Sequence, residues 1–172
     1  MYYIDFDGVI LDTYFPTFKE YYEQEKLGNY IDDIEYVQKQ DWNKILVESE
    51  IINNSIDIIK SIDINRVAIL TRIHSLENEG ESKIKYLREK GIRCPIILVP
   101  YHLKKTDIVF AKDNILIDDA IFNLDEWSSQ GGTSIYFNKD GNSIDGWGRE
   151  NTKYKIIQDL NFIKNEINNK ES

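Results

Sequence analysis

The stretch Tyr2-Tyr3-Ile4-Asp5-Phe6-Asp7-Gly8-Val9-Ile10 decides how this chain is read. Its opening residues are aromatic and β-branched and favour a strand, and Asp7-Gly8 ends it with turn chemistry. Two carboxylates, Asp5 and Asp7, therefore stand where a strand gives way to a turn. In extended chain they project to the same side, and they diverge once the backbone turns at Gly8. Asp-Gly is also an ordinary turn pair, so the rest of the chain has to say what the acids are for.

Working outward, the pattern becomes helical from Tyr14 to about Ser61. Phe15, Phe18 and Tyr22 recur at helical spacing, and Gly28-Asn29 supplies a stop. Asp41 caps a second predicted helix, along which Ile45, Ile52, Ile56 and Ile59 form an apolar stripe. Beyond residue 65 the texture changes. Continuous apolar runs at 66–71, 95–99, 114–117 and 134–137 suit strands buried on both faces. A helix over 75–90, stopped by Gly91, and another from Ile121, stopped by Gly131-Gly132, lie between them. Residues 140–148 form a Gly- and Asn-rich loop. Ile156, Ile157, Leu160, Ile163 and Ile167 share one face of a final predicted helix.

Strands that alternate with helices predict an α/β fold: a three-layer Rossmann-like parallel sheet, with a small helical cap inserted after the first strand. The expected division is a core of residues 1–13 and 61–172, with the cap at 14–60. In such sheets ligands sit beyond the carboxyl ends of the strands. The residues placed there are Asp5 and Asp7, Thr71, Pro100-Tyr101 and Asp118-Asp119.

The composition narrows the possible functions. The 172 residues are 41% hydrophobic, enough for a packed core, and the net charge of −9 disfavours stable duplex DNA binding. The lone Cys94 forms no internal disulfide and rules out a Cys-rich zinc module. The acidic start does not read as a signal peptide, and no apolar run of about 18 residues spans a membrane. The expectation is a soluble cytoplasmic protein.

Four carboxylates at one sheet edge repel one another unless a hard cation such as Mg²⁺ lies among them. An Asp carboxylate is a competent nucleophile toward phosphorus, a second one can move protons, and Thr and Lys donors can bind phosphoryl oxygens. The ordered set Asp5-Phe6-Asp7-Gly8-Val9, Thr71, Lys104-Lys105 and Asp118-Asp119 resembles the haloacid dehalogenase-like (HAD) phosphatase superfamily over nearly the whole chain.

That resemblance implies a Mg²⁺-dependent phosphomonoesterase. Asp5 would be the nucleophile that becomes an aspartyl phosphate, and Asp7 the general acid and base, its carbonyl also on the metal. Thr71 would bind phosphate. Lys105 or Lys104 would balance charge around the phosphoryl group. Asp119 would bind the metal, with Asp118 in support. The cap position and the Ile-Asp-Asp ending are similar to the 5′(3′)-deoxyribonucleotidase branch and to small nucleotidase-like HAD proteins of bacteria and phages, which implies a nucleoside monophosphate substrate. Arg72, where relatives carry a small residue, either grips an anionic group or forms a surface ion pair. Asn123 stands where many relatives place another acid.

Other readings stay open: a phosphatase for another small metabolite or a nucleic-acid 3′-phosphate end, or a phosphate-binding scaffold without catalysis. His74 and His102 read first as surface imidazoles. The insert holds Tyr14, Phe15, Phe18, Tyr21, Tyr22, Tyr30, Tyr36 and Trp42, of which one or two could stack on a nucleobase.

Overall fold

The computed structural model describes residues 1–27 and 33–171. The predicted stop at Gly28-Asn29, the ring of Tyr30 and the side chain of Phe15 lie outside what is described. Six strands form one sheet: β1 (Tyr2–Ile4), β4 (Val67–Ile73), β5 (Ile96–Pro100), β6 (Ile115–Asp118), β7 (Thr133–Phe137) and β8 (Lys155–Ile157). Their order is β5-β4-β1-β6-β7-β8, and every pairing is parallel. Ile4 lies opposite Ile69 on one side and Ile117 on the other, so β1 is central.

The pleat sorts the side chains between two layers of helix. On one face Ile4, Phe6, Val67, Ile69 and Ile117 pack with Ile56 and Ile59 of α4 (Ser55–Lys60), Leu87 of α5 (Glu81–Glu89), and Ile163 and Ile167 of α8 (Asn161–Glu171). On the other, Leu70, Leu116 and Tyr136 pack with Leu124 and Trp127 of α7 (Ile121–Ser129), beside the short α6 (Lys105–Ile108). The expected three-layer α/β architecture is present. Cys94 is buried and free.

The insert leaves the sheet through β2 (Leu11–Asp12) and returns through β3 (Glu50–Ile51), which pair antiparallel. Between them lie α1 (Tyr14–Lys26), α2 (Asp33–Gln38) and α3 (Trp42–Glu48). Asp41 caps α3 as expected, its carboxylate accepting from Lys44 N at 3.1 Å.

Two predicted helices need correction. The stripe from Ile45 to Ile59 is broken at β3 and a 3-10 turn over Ile52–Asn54, where Asn53 and Asn54 take φ of 43° and 60°. Asn tolerates that left-handed region better than most residues, so the chain turns where a helix would have run on. Ile156 and Ile157 belong to β8, and the last helix starts at Asn161. A further difference lies at Leu76–Gly80, where a π-turn precedes α5. No helix among the described residues is long and apolar enough to cross a membrane.

Candidate active site

Asp5 follows β1 directly, and Asp118 ends β6, so both stand at the same edge of the sheet. Asp119 is the next residue. One carboxylate oxygen from each of the three lies within 4.8 Å of the others. Asp5 and Asp118 are buried, and they share one cation. Lys105, the first residue of α6, donates to Asp5 Oδ1 at 2.7 Å and to Asp118 Oδ2 at 2.5 Å. Lys104 is exposed, and its backbone N–H donates to Asp107 at 2.8 Å. The geometry therefore places Lys105 at the site and Lys104 outside it.

Asp118 is saturated with donors, since Ala120 N and Asn123 Nδ2 reach it as well. Asp119 is not. Its Oδ1 is buried without a hydrogen-bond partner, as is Oδ1 of Asn123. Burial pushes the Asp119 carboxyl well above its ordinary pKa, and the charges of Asp118 and Asp5 add to the push. Burial likewise raises Asp5 to about 7, with Lys105 pulling down and Asp118 and Asp7 pushing up. Clustered oxygens, unspent lone pairs and mutual repulsion are what a hard divalent cation relieves. The donor set fits Mg²⁺.

Gly8 lets the two halves of the site close. Its φ is +74°, and a Cβ there would overlap the Asp119 carboxylate. The turn carries Asp7 past Asp5, where Thr13 Oγ1 donates to Asp7 Oδ1 at 2.7 Å and Lys83 Nζ to Asp7 Oδ2 at 2.6 Å.

Lys83, which its sequence context barely marks, joins the site. It lies on α5, fully buried, and also donates to Glu79 at 2.7 Å. Burial works against its charge, but Asp7 and Glu79 outweigh it and hold the ammonium above its ordinary pKa. Glu79 in turn accepts from the backbone N–H of His74 at 2.6 Å and lies 3.1 Å from His74 Nδ1. Burial would raise the Glu79 carboxyl, yet Lys83 and His74 hold it below its ordinary value. The signal was present but faint: Glu79 and Lys83 are four apart, and Lys83 is four before Leu87 on the inward face.

The pleat separates two neighbours that the sequence treats alike. With Ile4 opposite Ile69, Asp5 shares its face with Leu70 and Arg72, whereas Thr71 falls on the face of Phe6. Thr71 is fully buried beside Lys83, 3.4 Å from Nζ, and its hydroxyl donates to Arg72 O at 3.3 Å. Arg72 instead lines the cavity above the acids. Its Nε is buried without a hydrogen-bond partner, and its guanidinium lies 5.8 Å from the Phe122 ring centre.

That cavity measures about 710 Å³. Asp5, Asp7 and Asp119 lie on its floor side. The insert contributes Tyr14, Phe18, Tyr21, Tyr22 and Trp42, and the core contributes His74, Phe122 and Trp147. His74 is thus a wall residue, whereas His102 is exposed.

No protein-family model and no curated protein matches the chain. Solved structures do. A HAD-hydrolase, YfnB from Bacillus subtilis, in a structure bound to magnesium, superimposes with a TM-score of 0.63 at 15% identity, covering 97% of each chain. A haloacid dehalogenase-like family protein, SP0104 from Streptococcus pneumoniae, gives 0.59 at 12% identity over 96% of this chain and 97% of that one. A phosphonoacetaldehyde hydrolase-like protein from Oleispira antarctica gives 0.63 at 8% identity over 98% and 91%. At such identities the likeness establishes the fold, which is that of HAD-like hydrolases.

Proposed function

We propose that the chain is a HAD-type phosphomonoesterase that uses Mg²⁺ and an aspartyl phosphate on Asp5, and that its substrates are nucleoside monophosphates. The observation that carries this reading is the floor of the cavity. At it and just beneath it, Asp5, Asp118 and Asp119 bring carboxylate oxygens within 4.8 Å of one another, and Asp119 Oδ1, Asn123 Oδ1 and Arg72 Nε are buried without a hydrogen-bond partner among the described residues. A phosphate-binding scaffold has no need of a second acid, Asp7, held by two donors at the cavity.

Asp5 and Asp119 side chains and the Asp7 carbonyl would hold the metal, with Asp118 in support. When bound, the ion neutralises the acids and the charge that builds on the phosphoryl oxygens. The chain's own residues do the rest. Arg72 and Lys105 orient the phosphoryl group, and Thr71, on the opposite face of β4 from Arg72, accepts from Lys83. An Asp5 oxygen forms a bond to phosphorus as the ester P–O bond breaks, and the protonated Asp7 gives its proton to the departing oxygen. Asp7, now a carboxylate, takes a proton from water as that water attacks phosphorus. The Asp5–phosphorus bond breaks, and inorganic phosphate leaves with the Asp5 carboxylate restored. Lys83 and Thr13 fix where Asp7 points through both steps. The helices α1, α2 and α3 act as the cap, closing water out and meeting the leaving group.

The test is release of inorganic phosphate from ribo- and deoxynucleotides, sugar phosphates and DNA 3′-phosphate ends, with Mg²⁺ and with EDTA. Fastest turnover of nucleoside monophosphates, lost in EDTA and in Asp5→Asn, supports the proposal. A sugar phosphate turned over equally well removes the nucleotide assignment and leaves a phosphatase. Turnover that persists in Asp5→Asn removes the mechanism.

A further inference from the structure

The loop between β7 and β8 does something its composition does not announce. Asp145 is buried, and its side chain accepts three backbone N–H bonds: from Ile121 at 3.0 Å, Trp147 at 3.0 Å and Arg149 at 2.8 Å. Asp145 N donates back to Arg149 O at 2.9 Å, and Gly148 turns the chain with φ of +79°. The segment 145–149 is therefore a tight turn, pinned at Ile121 to the start of α7, two residues after Asp119.

At its tip stands Trp147. Half of its surface is exposed, at 50%, yet its ring is fixed by two edge-on contacts. One is with Tyr14 at 5.8 Å and 86°, the other with Phe122 at 5.5 Å and 84°. The guanidinium of Arg149 lies 5.7 Å from the Phe122 ring centre, close to the 5.8 Å of Arg72. All three rings line the cavity that holds Asp5, Asp7 and Asp119. A half-exposed Trp147 ring held edge-on against Phe122, and the guanidiniums beside Phe122, match a flat heterocycle with carbonyl or ring-nitrogen acceptors. They offer a hydroxyl-rich sugar little.

We propose that the 145–149 turn is the specificity element of this site, with Trp147 and Phe122 holding the nucleobase of the substrate. The inference rests on the phosphomonoesterase reading above. It moves base recognition from the aromatics of the insert to a turn of the core.

Each nucleotide has a matched control that lacks only the base. The experiment compares kcat/KM for adenosine monophosphate against ribose 5-phosphate, and for thymidine monophosphate against deoxyribose 5-phosphate, in wild type, Trp147→Ala and Phe122→Ala. Stacking on one ring corresponds to a preference of about 5- to 150-fold for the nucleotide. That ratio should fall toward one in either variant, mostly through KM. A second readout needs neither metal nor turnover: adenosine should quench tryptophan fluorescence in wild type, and Trp147→Phe should abolish the quench. If Trp147→Ala keeps the full ratio, the base is held elsewhere and the proposal is overturned while the nucleotidase reading stands. If both members of a pair slow by one factor, the turn supports the floor instead of the base, and the proposal is again overturned. A wild type that shows no preference within the pairs refutes the nucleotide reading itself, and one that releases no phosphate from any of them refutes the phosphatase.

Discussion

At Gly8 the chain turns with φ of +74°, in the space where the Asp119 carboxylate also lies. An alanine there meets both a disfavoured backbone, costing about 1–2 kcal/mol, and a carboxylate it must displace. Gly8→Ala should therefore lower stability in urea and abolish phosphate release, because the displaced group is a metal ligand in the proposed mechanism. The two acids to which the proposal gives catalytic roles separate differently. Asp5→Asn should leave no turnover. Asp7→Asn should still bind substrate with kcat down by about 10²–10⁴-fold, the usual worth of general acid–base help. The adjacent lysines offer a sharper contrast. Lys105→Met removes the ammonium shared by two buried carboxylates and should cost nearly all activity. Lys104 is exposed, so Lys104→Met should stay close to wild type.

Among the elements, α5 carries more of the site than its sequence suggests. Lys83 is buried between Asp7 and Glu79, and removing one partner of a buried ion pair costs about 3–5 kcal/mol because a charge is left behind. Lys83→Met should lose that much in a urea melt, and adding Glu79→Gln should recover part of it. No recovery would mean that the loss is one of packing. The same helix shows what a sequence can and cannot disclose. The strands β4, β5, β6 and β7 were legible because both faces of the sheet are covered, which demands unbroken apolar runs such as Val67-Ala68-Ile69-Leu70, whereas β2, β3 and β8 were not. The acids were legible because strand ends are where they must stand. Lys83 was not, since one buried lysine in a row of charged residues looks like its solvated neighbours. Ile156 and Ile157 misled because they keep helical spacing with Leu160 and Ile163. Trp147 was hidden for another reason: its partners, Tyr14 and Phe122, are remote in sequence.

For the whole molecule, the cost of the acid cluster has to appear in stability. A cation that binds only the folded state raises its stability by about 2.7 kcal/mol at a hundredfold excess over Kd. Thermal melts should therefore rise with added Mg²⁺ and fall in EDTA. Asp119→Asn should flatten that response. Without metal it should melt above wild type, having shed a buried charge that Asp118 and Asp5 oppose, and it should respond weakly to Mg²⁺. A wild type indifferent to both additions would contradict the metal assignment. The antiparallel ribbon of β2 and β3 bears on how much the insert can change. Leu11 lies against Ile51 and Asp12 against Glu50, so the insert begins and ends at one spot. The sheet meets the same two neighbouring chain ends however long the segment between them becomes. A change of length between residues 13 and 49 therefore leaves Asp5 and Asp119 where they stand.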